Sequence, residues 1–206
     1  MSATGMSKPP ANKGKRYPVE ILTPDEVKAL IRACPESTAT GIRNRALITL
    51  LYRTGLRCSE ALQLIPKDVD RWMGAVSVLH GKGDRRRTVG IDGGALEVLE
   101  EWNVQRAALG VNGHAPLFCS LKGRPLAGSY VRTLLPRLAE AAGIAKRVHP
   151  HGLRHTHAFE LLHEGVPLPI IQRQLGHLSL QTTDTYLSHF APIDVINRIR
   201  ERQWSV

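Results

Sequence analysis

At 206 residues, 42% of them hydrophobic, the chain is long enough for one well-packed domain with at most a short appendage, and no second globular domain is needed. Its 28 Lys and Arg against 18 Asp and Glu leave a net charge of +10 at pH 7, which favours a polyanionic partner, nucleic acid ahead of anionic lipid. The longest apolar run, ALITLLY at 46–52, is too short to cross a bilayer and the polar start holds no signal-peptide core, so the expectation is a cytoplasmic protein without membrane attachment. Cys34, Cys58 and Cys119 form no C-x-x-C pair and are odd in number, which fits reduced, buried thiols better than a disulfide framework.

In chain order, residues 1–19 carry Lys8, Lys13, Lys15 and Arg16 with three prolines and no acid, and read as a flexible basic arm that backbone phosphates would attract. TPDE at 23–26 is a helix start, with Thr23 as N-cap, Pro24 in the first turn and Glu26 closing a capping box. That helix should end near Ala33. IRNRALITLLYRTG predicts a second helix with Ile42, Leu47, Leu50 and Leu51 on its apolar stripe and Gly55 as its stop. A third, short helix starts near Arg57 and ends before Pro66.

The period then changes. AVSVL and RRTVGI flank HGKGD, which predicts a two-stranded hairpin with Lys82 near its tip. Helical periodicity returns over 94–109 and over 128–142, where Pro136 should kink the helix or mark a boundary. Further short helices fit 152–164, 167–175, 180–188 and 192–203. The sum is a mainly α domain with one small antiparallel sheet, an α+β arrangement.

The polar residues are grouped unevenly. Seven of the nine histidines lie between 149 and 189, so a metal site has to be weighed, but thiolate pairs are missing and the surroundings are cationic, which argues for no metal. His151 and Arg154 stand three residues apart and project to one side of a helix, while His155 falls near that side too, so spacing alone does not choose between the imidazoles. His157 joins Leu153 and Leu161 on the buried stripe and reads as a core histidine. Arg57 follows a glycine-terminated helix, where tying down helix-end carbonyls would be role enough, and Glu60 sits one turn further on.

Arginines, a lysine, histidines and a tyrosine form a toolkit for phosphoryl transfer to a phenol. Guanidinium forks match the non-bridging oxygens of a phosphodiester and stabilise its pentacoordinate transition state without a metal. A tyrosine of ordinary pKa near 10 needs a base or a strongly positive field to attack, and the leaving sugar oxygen needs a proton.

TGLRCSEAL, HGKGDRRR, HPHGLRHTHAFELLHEG, QLGH and TYLSHF, in that order over about residues 20–200, resemble the catalytic domain of the tyrosine recombinases, the phage-integrase family. Each motif alone is weak, whereas the ordered set is specific. The resemblance implies that Arg57 and Arg154 clamp the scissile phosphate and that Tyr186 becomes linked to the DNA 3′-phosphate. It makes Lys82 the general acid for the 5′-hydroxyl, His151 the proton partner of the tyrosine and His177 a donor to the phosphate, with Glu60 as a supporting acid. Lys13, Lys15, Arg16, Arg85, Arg86 and Arg87 are the expected contacts to double-stranded DNA, and no cofactor is implied. Residues 20–206 then form the catalytic domain, without the separate core-binding domain that family members usually carry before it. The segment 192–203 is expected to dock on a neighbouring protomer and build a homotetramer on DNA, with accessory DNA-bending proteins as possible partners, at the nucleoid. A type IB topoisomerase and a non-catalytic DNA-binding module are the rival readings.

Overall fold

The computed structural model describes residues 20–79 and 86–176, together with Arg200. Seven helices, α1 (Pro24–Arg32), α2 (Ala39–Thr54), α3 (Cys58–Gln63), α4 (Gly93–Ala108), α5 (Gly128–Ala141), α6 (Pro150–His163) and α7 (Leu168–Leu175), surround the core among these residues. Between α3 and α4 come a 3₁₀ turn (Pro66–Asp68) and strands β1 (Val69–Asp70), β2 (Ala75–Val78) and β3 (Arg87–Gly90). The expected helices 180–188 and 192–203 lie outside the described residues. No described helix is long and apolar enough to cross a membrane.

Local chemistry explains the boundaries. Thr23 and Glu26 form the expected reciprocal box: the Glu26 N–H donates to Thr23 Oγ1 at 3.2 Å and the Thr23 N–H to Glu26 Oε2 at 2.7 Å. The helix begins there because two amides that lack intrahelical acceptors are satisfied. Leu47, Ile48, Leu50 and Leu51 of α2 are fully buried, and a helix apolar on several faces has to be enclosed. It therefore packs against α1, α3, α4 and α6 and forms the axis of the domain.

Gly55 ends α2 with φ +63, and its N–H reaches Leu51 O at 3.1 Å. A Cβ at this position would stand 2.6 Å from Leu175 Cδ2 and 2.8 Å from His157 Cδ2. Glycine is thus required twice, by its dihedral and by the convergence of α6 and α7 on this point.

The sheet has order β1-β2-β3, antiparallel throughout, with Val69 opposite Val76 and Val76 opposite Val89. The hairpin is as the alternating pattern predicts; β1, only two residues long, is too short to carry a period. Pro136 lies inside an uninterrupted α5, on its exposed face, where the carbonyl deprived of a donor need not be buried. Position on the solvent side is why it marks no boundary.

Candidate active site

Helix α6 starts two residues earlier than its apolar period suggests, because His149 is its N-cap. The Gly152 N–H donates to His149 Nδ1 at 3.0 Å, and Pro150 fills the first helical position. An imidazole here does what a serine or threonine hydroxyl usually does. The cap fixes the turn from which His151 and Arg154 project.

Arg154 is 1% exposed, yet two of its partners are neutral backbone carbonyls. Its Nη1 donates to Gly55 O at 2.5 Å and its Nη2 to Leu175 O at 2.6 Å, so the guanidinium joins the carbonyl ends of α2 and α7. The role of tying down helix ends, conceivable for Arg57 from the sequence, belongs to Arg154.

Arg57 is held differently. Its backbone N–H donates to Glu60 Oε2 and its Nη1 to Glu60 Oε1, each at 2.9 Å, while Arg87 grips the same carboxylate with Nη1 at 2.9 Å and Nη2 at 2.7 Å. Burial pushes the Glu60 carboxyl up, but the hydrogen bonds from Arg87 and from the Arg57 backbone outweigh it and hold the group at about 2. One buried anion thereby ties α3 to the first residue of β3.

Arg57, His151 and Arg154 line one cavity of about 360 Å³, to which Arg132, Arg147 and His149 also contribute, and among the described residues its lining holds no carboxylate. Partial burial lowers the pKa of His151, and the charges of Arg154, His149 and Arg57 lower it further. A neutral imidazole beside fixed guanidinium groups can receive a proton, and the guanidinium groups can bind a tetrahedral anion. His155 meets the His151 ring edge-on at 4.3 Å and is buried, as is His157, whose pKa burial, with Arg53 and Arg154, depresses to about 4. Among the described residues, no three His, Cys, Asp or Glu side chains gather into a metal-holding group.

Of the other residues singled out in the sequence, Arg86 is exposed and Arg87 is engaged by Glu60. Lys13, Lys15, Arg16, Lys82, Arg85, His177 and Tyr186 lie outside the described residues. The sequence reading passed over Arg132, Arg147 and His149. For the last two a signal existed in the sequence: apolar Val148, buried in the fold, stands between them, and extended alternation carries its basic neighbours to the opposite side. Arg132, on a helix face with no companion motif, offered none.

Residues 20–191 match the family model described as "Phage integrase family". The chain is 40% identical over 176 residues to the tyrosine recombinase XerC of Xylella fastidiosa strain 9a5c, covering 85% of this chain and 58% of that relative. It is 38% identical over 182 residues to the tyrosine recombinase XerD of Corynebacterium glutamicum, covering 86% of this chain and 59% of the relative. The chain thus spans somewhat over half the length of the curated relatives it matches. Among solved structures, the XerA recombinase superposes with a TM-score of 0.78 at 30% identity, over 96% of this chain and 70% of that one. The XerH site-specific recombinase bound to a palindromic difH substrate, a post-cleavage complex, gives 0.73 at 31% identity, over 90% of this chain and 54% of the other.

Proposed function

The chain belongs to the phage integrase family, and from that premise we propose that it is the catalytic part of a tyrosine recombinase that cleaves and rejoins double-stranded DNA at specific sites. The observation that carries this is the cavity, free of carboxylates among the described residues, whose lining Arg57, His151 and Arg154, read from two motifs almost a hundred residues apart, share. An opening so charged selects an anion, and three of the residues facing it are those the motifs assign to the diester.

In this reading Arg57 and Arg154 take the non-bridging oxygens of the scissile phosphate. The Tyr186 hydroxyl attacks phosphorus, forming a 3′-phosphotyrosine bond, while the bond to the 5′-oxygen breaks. His151, whose pKa is lowered by burial and then by its cationic neighbours, exchanges the phenolic proton, and His177 donates a hydrogen bond to the phosphate. Lys82, in the connection between β2 and β3, gives the leaving oxygen its proton. Glu60 orients Arg57. The ester bond kept in the phosphotyrosine lets strands be resealed without ATP, a metal ion or another cofactor.

Lys13, Lys15, Arg16, Arg85 and Arg86 would add phosphate contacts around this centre, with Arg87 acting through Glu60. The segment 192–203 would dock on a neighbouring protomer to give a homotetramer on paired DNA sites. Action on the nucleoid in the cytoplasm completes the reading, with a phage or other mobile element as its setting, for which the family's name is the support.

A nicked suicide substrate tests the core of the proposal. Wild type should form a protein–DNA adduct stable in detergent, and Tyr186→Phe none. Adduct formation that survives Tyr186→Phe, or that needs a divalent ion, overturns it. Relaxation of supercoils without exchange of strands between two duplexes would redirect it to a topoisomerase.

A further inference from the structure

The arginine cavity holds more positive charge than one diester uses. Arg154 donates only to neutral carbonyls through Nη1 and Nη2, and Arg57 shares the Glu60 carboxylate with Arg87, so these groups already match one phosphate and the charge it gains when phosphorus is attacked. Arg132 and Arg147 stand in the same lining, where no carboxylate among the described residues answers them. Both are exposed, so packing in the core does not account for their place.

Arg57 and Arg132 act on different faces of α3. Glu60 draws Arg57 toward the first residue of β3, where Arg87 meets the same carboxylate. Cys58, two positions earlier on the helix and so turned nearly the opposite way, feels Arg132 instead: burial raises the thiol pKa and the Arg132 charge opposes that rise. There α3 packs against α5, the helix that carries Arg132. A Cβ added to Gly128 would lie 3.5 Å from Arg132 Nη1, so the side chain lies back over the start of its own helix. Arg132 makes no hydrogen bond or ion pair among the described residues, which leaves its fork of donors open to a ligand.

Arg147 is rooted more firmly. Its N–H donates to Glu20 Oε2 at 2.6 Å, and the residue after it, Val148, is buried. Burial lowers the pKa of His149 and the Arg147 charge lowers it further, which places that guanidinium beside the cap of α6. A DNA strand brings its phosphates in sequence, each with a negative charge, so guanidinium groups left over beside one diester meet its neighbour.

We propose that Arg132 and Arg147 form a second phosphate seat in this cavity, which takes the diester adjoining the scissile one on the cleaved strand and holds the strand in register over Arg57 and Arg154. This rests on the reading of the cavity as the cleavage site. Neither arginine of the second seat touches a reacting atom. By fixing the neighbouring phosphate they decide which diester stands in the first seat, and their loss slows cleavage through misplacement.

Methylphosphonate linkages, which replace one non-bridging oxygen by methyl and remove the charge of a single diester, test this on a nicked suicide duplex. Adduct formation is timed for wild type, Arg132→Ala, Arg132→Lys and Arg147→Gln, each checked by circular dichroism, on the unmodified duplex and on duplexes neutralised at the phosphate on either side of the scissile one. Arg132→Ala and Arg147→Gln should each slow the unmodified duplex about tenfold, and neutralising one of the two adjoining phosphates should slow wild type by a similar factor. Variant and neutral linkage combined at that position should cost no more than about twofold beyond either alone, because both remove the same contact. Arg132→Lys keeps a charge without the fork and should stay within about threefold of wild type. Arg147→Gln leaves the N–H to Glu20 in place and decides the matter if Arg132→Ala does not fold. Losses that multiply at both neighbours, or no loss on the unmodified duplex, overturn the second seat and leave cleavage over Arg57 and Arg154 standing. No adduct from wild type on any of the duplexes overturns the reading of the cavity, and this inference with it.

Discussion

Two of the cavity's arginines, Arg57 and Arg154, are immobilised in opposite ways. At the junction of α2, α6 and α7, Arg154 donates through Nη1 and Nη2 to the carbonyls of Gly55 and Leu175, neutral groups that fix the guanidinium without opposing its charge. At the junction of α3 and β3, Arg57 shares the Glu60 carboxylate with Arg87, so two cations and one anion leave a single net charge. A carbonyl fixes a guanidinium without cancelling it; a carboxylate fixes it and cancels part of the field. The first arrangement demands complete burial among backbone ends, and the second tolerates a side chain 30% exposed. On the reading proposed above, Arg154 is the source of field and Arg57 the adjustable partner.

Substitution should break that comparison most visibly at Arg154. A lysine offers a point charge and cannot span both carbonyls, so Arg154→Lys should cut covalent-adduct formation by about a hundredfold or more and Arg154→Ala by about a thousandfold, with a lowered melting temperature in both. Arg57→Lys, which can still meet Glu60, should cost only about tenfold in the same assay. Equal losses at the two positions would erase the distinction.

Gly55→Ala strikes the first junction through its backbone. The left-handed φ and the approach of Leu175 and His157 should together destabilise the fold by about 3 kcal/mol, read from urea unfolding, with binding of Arg154 to its cradle the first casualty.

Acid should separate the junctions by pH. His157, packed on Gly55, is neutral in the fold down to about 4, whereas an unfolded histidine takes up a proton near its ordinary 6.5. Its contribution is therefore whole above pH 6.5 and is lost as pH falls to 4, about 3 kcal/mol in all. Glu60 has the opposite charge type but the same direction: held at about 2 against an ordinary 4.5, it stabilises fully above 4.5 and loses that contribution only between 4.5 and 2. Unfolding free energy measured from pH 7 to 3 should begin to fall at the histidine, and His157→Gln should flatten the upper part of the slope alone. The smallest effect is expected for Glu60→Gln at neutral pH. Freed of its anion, Arg57 gains field but loses orientation, and adduct formation should drop only a fewfold, with tighter and more salt-sensitive DNA binding as its signature.

Much of this was legible in the sequence, and the limits are physical. The Thr23–Glu26 box, the stop at Gly55 and the hairpin depend on neighbours within a few positions, and the structure has them where the pattern puts them. The spacing of His151 and Arg154 likewise brings both to one cavity. What holds Arg154 was not legible, since its partners lie 99 and 21 residues away and are backbone atoms, which any residue type supplies. Arg85, Arg86 and Arg87 look alike in sequence; only the tertiary approach of Glu60 singles out Arg87. The capping role of His149 was hidden because imidazole is an uncommon helix cap, and Pro136 misled because its ring's cost depends on which face of the helix it occupies.

The chain's first described residues cling to its later part. The Leu22 N–H donates to Thr156 Oγ1 at 3.1 Å, Lys146 Nζ to Ile21 O at 2.9 Å and the Arg147 N–H to Glu20 Oε2 at 2.6 Å. Whatever is fused, cut or pulled upstream of Thr23 therefore tugs on Arg147 and the arginine cavity it lines. A tag or truncation placed there would act as an unintended effector on the wall to which Arg147 belongs.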